Sequence, residues 1–359
     1  MKCFPQLVKL KNLYIFFFIL ALLNIFFSTE NSNAKTFLIS EIEISTPFND
    51  GFDKNEIINE SFVKAYTQLI LLTAQSIDVK KLTNIPIKQI KGLVETFSIK
   101  EEKFIDEVYY LTLDVSFNKK NFFDLLESKN IFPSLLIKKN LMFIPIIVDE
   151  DTNQILLFSE NQLFKFWNSK KQKYHLLNYI LPNEDIEDFN LIKRNIKNLE
   201  NYDFNSITKK YNFDDYIIMI IFKNNQGIRV LNKIVFNKNK NIKNFKFKNL
   251  NLNNLNHLDK FIKNQKLVFE DYWKLKNQIN TSIKLNLTIS VDNSNNVKIN
   301  QLEEHLSNIE LIYNFNIFKF DNKKNVYKII FNGTREKFLE IMRNKNYTFQ
   351  IKNKVWVLE

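Results

Sequence analysis

The chain has 359 residues, a formal charge of +12, 45% hydrophobic and 14% aromatic residues, a make-up that can build packed cores over two or three domains rather than stay disordered. Its four glycines stand singly at Gly51, Gly92, Gly227 and Gly333, against a usual share of roughly 7%. A dinucleotide fingerprint or phosphate-cradling loop needs clustered positions without a Cβ, so neither can be assembled, and Cys3 as the only cysteine excludes disulfides, thiolate nucleophiles and cysteine–zinc sites from everything after it.

The chain opens with Lys2, Lys9 and Lys11, then an apolar run from Leu13 to Phe27 broken only by Asn24, then a polar stretch ending Ser32-Asn33-Ala34. A basic start, an apolar centre and small residues before a cut make a secretory signal peptide over residues 1–34, cleaved after Ala34 and delivering the chain to the periplasm. The alternative is an uncleaved anchor in the inner membrane formed by residues 13–27, although this run of about 15 falls short of the roughly 20 apolar residues that span a bilayer. Cys3 precedes the apolar run, whereas an acylated lipoprotein cysteine would follow it. Residues 1–34 hold three lysines and one glutamate, so the remainder carries +10. That charge is dispersed, accompanies a chain-wide excess of Lys, Asn, Ile and Phe, and would sit outside the cytosol, so no nucleic-acid partner is expected.

Residues 35–135 read as an N-terminal α+β module. Phe37, Ile39, Ile42 and Ile44 mark a strand, Asp53 caps a helix running to about Ala74, and a second helix spans Pro86 to Val94. A short strand Glu95–Ile99, a clear strand Val108–Phe117 and a helix Asn121–Lys129 follow. Residues 136–250 read as a middle α/β module. Strand Leu141–Val148 turns at Asp149–Asn153 into strand Gln154–Phe158, then come helix Asn161–Lys170, strand Leu176–Leu181 and a helix from an Asn183 cap through Leu199. A short helix ending at Tyr211 precedes three strands, Tyr216–Phe222, Ile228–Phe236 and Ile242–Phe247, which predict a sheet with an antiparallel finish. Residues 251–359 combine a long helix, Leu258–Ile279, with a βαββαβ block of ferredoxin-like order. Its elements are strand Ile283–Val291, helix Ile299–Asn308, strands Ile309–Phe320 and Asn325–Phe331, helix Thr334–Arg343 and a last hairpin, Tyr347–Leu358. Phe117-Asn118 before Phe122 is echoed by Phe331-Asn332 before Phe338, a weak sign of an internal repeat. The expected class is therefore α+β or α/β, in two or three small mixed-sheet modules.

No stretch names a reaction. Asp149, Asp151, Asn153 and Glu160 fit most of a calcium-loop spacing, but Gln154 replaces its turn glycine and a strand precedes it, so a polar hairpin tip is the better account. His175, His257 and His305 lack metal-ligand spacing. Glu184, Asp185, Glu187 and Asp188 lie where a helix start favours negative charge without any acid–base role. No serine stands in a nucleophile elbow. Catalytic, cofactor and metal residues are therefore not assigned, and no cofactor is expected. Lys233, Lys238, Lys240, Lys243, Lys246 and Lys248 crowd one hairpin, beside Phe245 and Phe247. They either meet an anionic surface or guard a sheet edge by solvation, the second being favoured.

Several of these segments resemble an uncharacterised family of secreted proteobacterial proteins, domain of unknown function 2066, over roughly Phe37 to Asn249. The carriers are Ser61–Thr73, Val94–Phe117, Leu125–Ile131, Tyr179–Pro182 before Glu184-Asp185, and Lys210–Tyr216. Just before Asp214, where that pattern has glycine and a small residue, this chain has Asn212 and Phe213. The middle module is also similar to the small α/β domains of envelope-assembly proteins, such as the amino-terminal domain of the Tol-system propeller protein. That similarity implies periplasmic protein–protein contacts and carries no functional residues. The expected function is a non-enzymatic exported envelope protein that binds an envelope protein partner. The alternatives are a binder of anionic lipid or cell-wall polymer through the lysine-rich hairpin, and an unrecognised hydrolase.

Overall fold

The computed structural model describes residues 36–170, 173–352 and 354–359, so the leader expected over residues 1–34 lies outside the described residues. The apolar positions 37, 39, 42 and 44 break a period of two, and strand β1 (Thr36–Pro47) absorbs the break with a bulge at Ser40-Glu41. Glu41 takes φ 56° there and its N–H donates to Asp114 Oδ1 at 2.9 Å, so all four apolar side chains reach one buried face. Helix α1 (Lys54–Thr73) starts on the Asp53 carboxylate, which accepts from Asn55 N at 2.8 Å, and buries Phe62, Tyr66, Leu69 and Ile70. Helix α2 (Ser76–Thr83) has no apolar period to announce it, since Leu82 is its only buried residue. Helix α3 (Ile87–Leu93) follows Pro86.

Strand β2 (Val94–Ile105) is far longer than Glu95–Ile99, because its second half, Lys100-Glu-Glu-Lys103, carries no hydrophobic alternation. Strand β3 (Val108–Asn118) buries Tyr109, Leu111, Leu113, Val115 and Phe117, as the alternation requires. The sheet order is β1-β3-β2, antiparallel throughout. Helix α4 (Lys119–Ser128) starts where Asn118 Oδ1 accepts from Asn121 N at 3.0 Å.

Strand β4 (Lys139–Asp149) is buried without interruption from Leu141 to Val148, the mark of a strand covered on both faces. Strand β5 (Gln154–Leu156) turns back on it, and helix α5 (Gln162–Phe166) follows. The expected Asn161–Lys170 helix is shorter, ending at Phe166, and the Trp167 carbonyl just beyond it accepts from the buried Lys266 ammonium at 2.6 Å. After strand β6 (Leu177–Ile180), helix α6 (Ile186–Arg194) is capped by Asp185 rather than Asn183, its carboxylate accepting from Glu187 N and Asp188 N at 2.8 and 3.1 Å. It stops at Asn195 instead of running to Leu199. Helix α7 (Asn205–Lys210) leads to strands β7 (Tyr216–Asn224), β8 (Gly227–Phe236) and β9 (Asn239–Phe247). Strand β4 runs parallel to β6 and β7, while β7, β8 and β9 are antiparallel, in the order β5-β4-β7-β8-β9. Ile217, Met219 and Ile221 fill one side of this sheet, Ile218 and Ile220 the other.

Helix α8 (Leu255–Lys276) begins on the Asn254 side chain and lays Phe261, Phe269 and Trp273 onto the middle sheet, in one core with Phe143, Trp167 and Phe236. The last block runs strand β10 (Lys284–Asp292), helix α9 (Asn296–Asn308), strands β11 (Ile312–Phe320) and β12 (Lys324–Asn332), helix α10 (Arg335–Arg343), then strands β13 (Phe349–Lys352) and β14 (Val355–Leu358). Its order is β11-β12-β10-β14-β13, with β10–β14 parallel and the other pairs antiparallel. The βαββαβ order therefore closes with a hairpin, and its second strand sits against β10. Phe122 and Phe338, the two residues of the sequence echo, are both fully buried. The first and last sheets share one continuous core that includes Phe117, Leu126, Ile289 and Phe331. Tyr313 Oη donating to Asp124 at 2.8 Å and the Lys119–Glu310 and Lys284–Glu127 ion pairs cross between them. The mixed α+β class holds, and among the described residues no helix is long and apolar enough to cross a membrane.

With so few glycines, left-handed positions fall to other residues. Asn130, Asn153, Asn212, Asn237 and Asn346 all have positive φ. Gly227 is a position that must be glycine, because a Cβ at its φ of +136° would lie 2.7 Å from the Phe247 carbonyl oxygen. The β8–β9 turn places Asn237 and Lys238 at φ 49° and 65°, the geometry for which Asn-Gly is preferred. Lys238→Gly is expected to add about 1 kcal/mol of stability by removing left-handed strain at a residue with a Cβ. Urea unfolding checks this, and an unchanged or lowered midpoint would contradict it.

Candidate functional site

Strand β2 is one of the two edges of the first sheet, β1 being the other, and its Thr96–Ile105 stretch is exposed along its whole length. Phe97, Ile99 and Phe104 lie opposite the inward residues Val115, Leu113 and Tyr109, yet they overhang α1 and stay 45%, 40% and 57% exposed. Phe97 meets Phe62 edge-on at 5.2 Å and Phe104 meets Phe48 at 4.8 Å, so the overhang is held in place by rings on one side only. Between them Glu102 pairs with Lys54 at 2.7 Å and accepts from Tyr109 Oη at 2.9 Å. Those donors hold its carboxyl below the usual range, and burial followed by Glu102 pushes the Tyr109 phenol up to about 12. Bulges near Glu95 and Lys100 divide the ladder into two runs. The result is an apolar ledge beside a free row of backbone groups, with its charges concentrated at Lys100–Lys103.

The six hairpin lysines do not form one surface. Lys233 turns inward, its ammonium donating to the Tyr202 carbonyl at 2.9 Å and sitting 5.4 Å from the Phe204 ring, and burial pushes its pKa down. Lys240 and Lys246 share that side of the sheet by register, whereas Lys243 lies on the other, 5.6 Å from the Tyr272 ring. Lys238 occupies the turn and Lys248 follows the strand. Phe245 and Phe247 face α8, with Phe247 edge-on to Phe261 at 5.5 Å. Four of the lysines thus lie along or at the end of β9, the open edge of the middle sheet.

Helix α8 carries a polar stripe inside the core that its sequence conceals. Lys266, Glu270 and Lys274, each four residues from the next, are all buried. Each holds the backbone of a different segment: Lys266 the Trp167 carbonyl, Lys274 the Leu71 carbonyl, and Glu270 the N–H groups of Leu176 and Leu177 at 3.1 and 2.9 Å. Desolvation lowers both lysines and raises the glutamate. A cavity of about 220 Å³ beside Lys266 is lined by Leu71, Trp167, His175, Ile262 and Leu267. Burial, then the charges of Lys266 and Lys274, hold the His175 imidazole down at about 4, so it is neutral at pH 7. Asp259 at the same cavity is paired with Lys170 and Lys263 at 3.0 and 2.9 Å, and Ser169 Oγ donates to the Phe166 carbonyl. A spacing of four with alternating sign is the signal that could have revealed this stripe, although on a helix the same spacing also suits a solvated face.

The remaining candidates are held by local structure. Asp149 Oδ1 accepts from the N–H groups of Asp151 and Thr152, and its other oxygen meets Lys223 at 3.2 Å, so it builds the hairpin tip. Asp185 caps α6 and, with Asp188, pairs Lys210 at 2.5 and 3.3 Å. Glu184 accepts from Ser159 N. His257 Nδ1 meets Asn251 N at 3.4 Å and His305 Nδ1 meets Tyr347 Oη at 2.9 Å, far apart in the fold. Among the described residues no three His, Asp or Glu side chains converge as a metal site would need. Compared with known proteins, the chain matches no family model and no curated protein.

Proposed function

We propose that this chain is an exported cell-envelope protein that acts without chemistry, by taking an extended segment of a partner protein onto the open edge of β2. The observation that carries the reading is the β2 ledge itself, a backbone row that no other described strand pairs, flanked by Phe97, Ile99 and Phe104. Strand addition draws its affinity from main-chain hydrogen bonds and its specificity from the side chains beside them, and the ledge offers an open strand edge with Phe97, Ile99 and Phe104 exposed along it. The leader pattern of residues 1–34 supports export. The bulges and the charged Lys100–Lys103 run support selectivity, since they resist indiscriminate edge pairing.

A photo-crosslinking residue at Ser98, exposed on β2, is expected to capture a discrete envelope protein, while the same probe at Thr152 on the middle sheet captures none. Ile99→Asp should cut the Ser98 adduct about tenfold, because a desolvated, unpaired charge costs more than the roughly 1.4 kcal/mol that tenfold requires. An adduct of equal yield in the Ile99→Asp protein, or none in a folded wild type, would sink the reading.

A further inference from the structure

The β11–β12 hairpin is a second exposed element, on the opposite sheet, and its chemistry differs from that of β2. Ile317, Phe318 and Phe320 are 50%, 59% and 71% exposed. They do not share a face. Ile317 and Phe320 lie opposite the inward residues Tyr327 and Asn325, while Phe318 sits in a bulge and turns to the other side, where the Lys328 ammonium stands 3.6 Å from its ring centre. Lys319, Lys323, Lys324 and Lys328 are all exposed around these three side chains. Two acidic groups lie close by. Asp321 is committed to the turn, its carboxylate accepting from the N–H groups of Lys323 and Lys324, both at 2.9 Å, with Lys319 3.8 Å away. Asp292 faces Lys324 across the sheet. The turn is anchored from β10 as well: Asn293 N donates to the Lys323 carbonyl at 2.9 Å and Asn293 Nδ2 to the Asp321 carbonyl at 2.6 Å. The tip is therefore held in shape before it meets anything.

Bulges between Ile312 and Asn314 and between Ile317 and Lys319 interrupt the β11 ladder, and the second puts Phe318 on the side away from Ile317 and Phe320. A flat protein surface would cover only one side of the strand, leaving either Phe318 or the Ile317–Phe320 pair in water. Apolar groups on both sides of an edge strand, with lysines around them, fit a medium that can close over both sides and is negatively charged at its boundary. We propose that the β11–β12 hairpin is a membrane-contact element that seats Ile317, Phe318 and Phe320 among the acyl chains just below the headgroups of an anionic bilayer, with Lys319, Lys323, Lys324 and Lys328 on the headgroups. This contact is separate from the β2 edge and from the lysine-rich β8–β9 hairpin, and stands or falls without either.

The test uses residues 36–359, which form one compact unit and leave out the apolar run of residues 13–27. That unit has no thiol, so Phe320→Cys accepts a single environment-sensitive fluorophore, with Thr152→Cys as the control. On vesicles of phosphatidylcholine mixed with phosphatidylglycerol, the label at position 320 should shift to the blue and the control label should not. Vesicles of phosphatidylcholine alone should shift neither. In unlabelled protein, replacing Phe318 and Phe320 by serine should weaken cosedimentation with the anionic vesicles at least about tenfold, with the far-ultraviolet spectrum showing that the fold is kept. Lys323→Glu with Lys324→Glu should weaken it similarly, and so should raising salt from about 0.1 to 1 M, which shortens the screening length from about 10 to 3 Å. Equal binding by the serine variant, a shift on uncharged vesicles, or a label at 320 that shifts only on adding a protein would overturn the proposal.

Discussion

Replacing Glu270 by alanine is expected to cost about 3–5 kcal/mol at pH 7, the range for breaking a buried charge network by removing one partner. The reason lies in what it leaves behind. The N–H groups of Leu176 and Leu177 lose both carboxylate oxygens, and Lys266 and Lys274 lose the negative charge between them. Glu270→Gln keeps the shape and one acceptor and should lose less, about 1–3 kcal/mol, the cost of one unsatisfied buried group. The pH dependence has a definite sign. Burial holds the Glu270 carboxyl above its ordinary value of 4.5, so between those two values the folded chain keeps a proton that the unfolded chain releases. The stability from this group is thus full at low pH and declines as pH rises through the folded value. Wild type should therefore gain on Glu270→Gln as a urea titration series moves toward acid. A Glu270→Ala protein within 1 kcal/mol of wild type would show that the stripe does not hold the segments together.

Trp167→Ala should be comparably severe, at about 3–5 kcal/mol for a fully buried tryptophan. Its ring stacks on Phe143 at 3.9 Å and touches Tyr179 and Phe269 at 5.5 and 6.2 Å. The site cannot collapse easily, because Lys266 and Glu270 pin the backbone on either side of it. The vacated volume would also join the 220 Å³ cavity already beside Lys266, admitting water among the apolar side chains of this core. Chemical unfolding gives the number, and a loss under 1 kcal/mol would mean that the neighbouring rings close the gap.

What the sequence revealed and what it hid follow from the same physics. Strand β3 and helix α1 each bury one clean face, and their periods of two and about 3.6 show it directly. Strand β2 does not, because an edge strand with Lys100-Glu-Glu-Lys103 in its second half has no buried face to impose a pattern. Asp185 and Asn183 are both able caps, and only the pairing of Asp185 and Asp188 with Lys210 decides between them. The polar stripe of α8 is not visible in the sequence because its partners, the backbones near Leu71, Trp167 and Leu176, lie on other segments. The same holds for the six lysines: the registers of β7, β8 and β9, which no local pattern encodes, place Lys233 on one side of the sheet and Lys243 on the other.

The core shared by the first and last sheets also sets a clock. Lys119 and Glu310 are 191 residues apart, and a ribosome adding about 5–20 residues per second takes on the order of 10–40 s to cover that interval. Throughout it, the part of the α4 region that the last sheet will cover has no native neighbour. Molecules early in synthesis are therefore the ones most in need of a chaperone, and a chain arrested before β10 should be far more prone to stick to others than the finished protein.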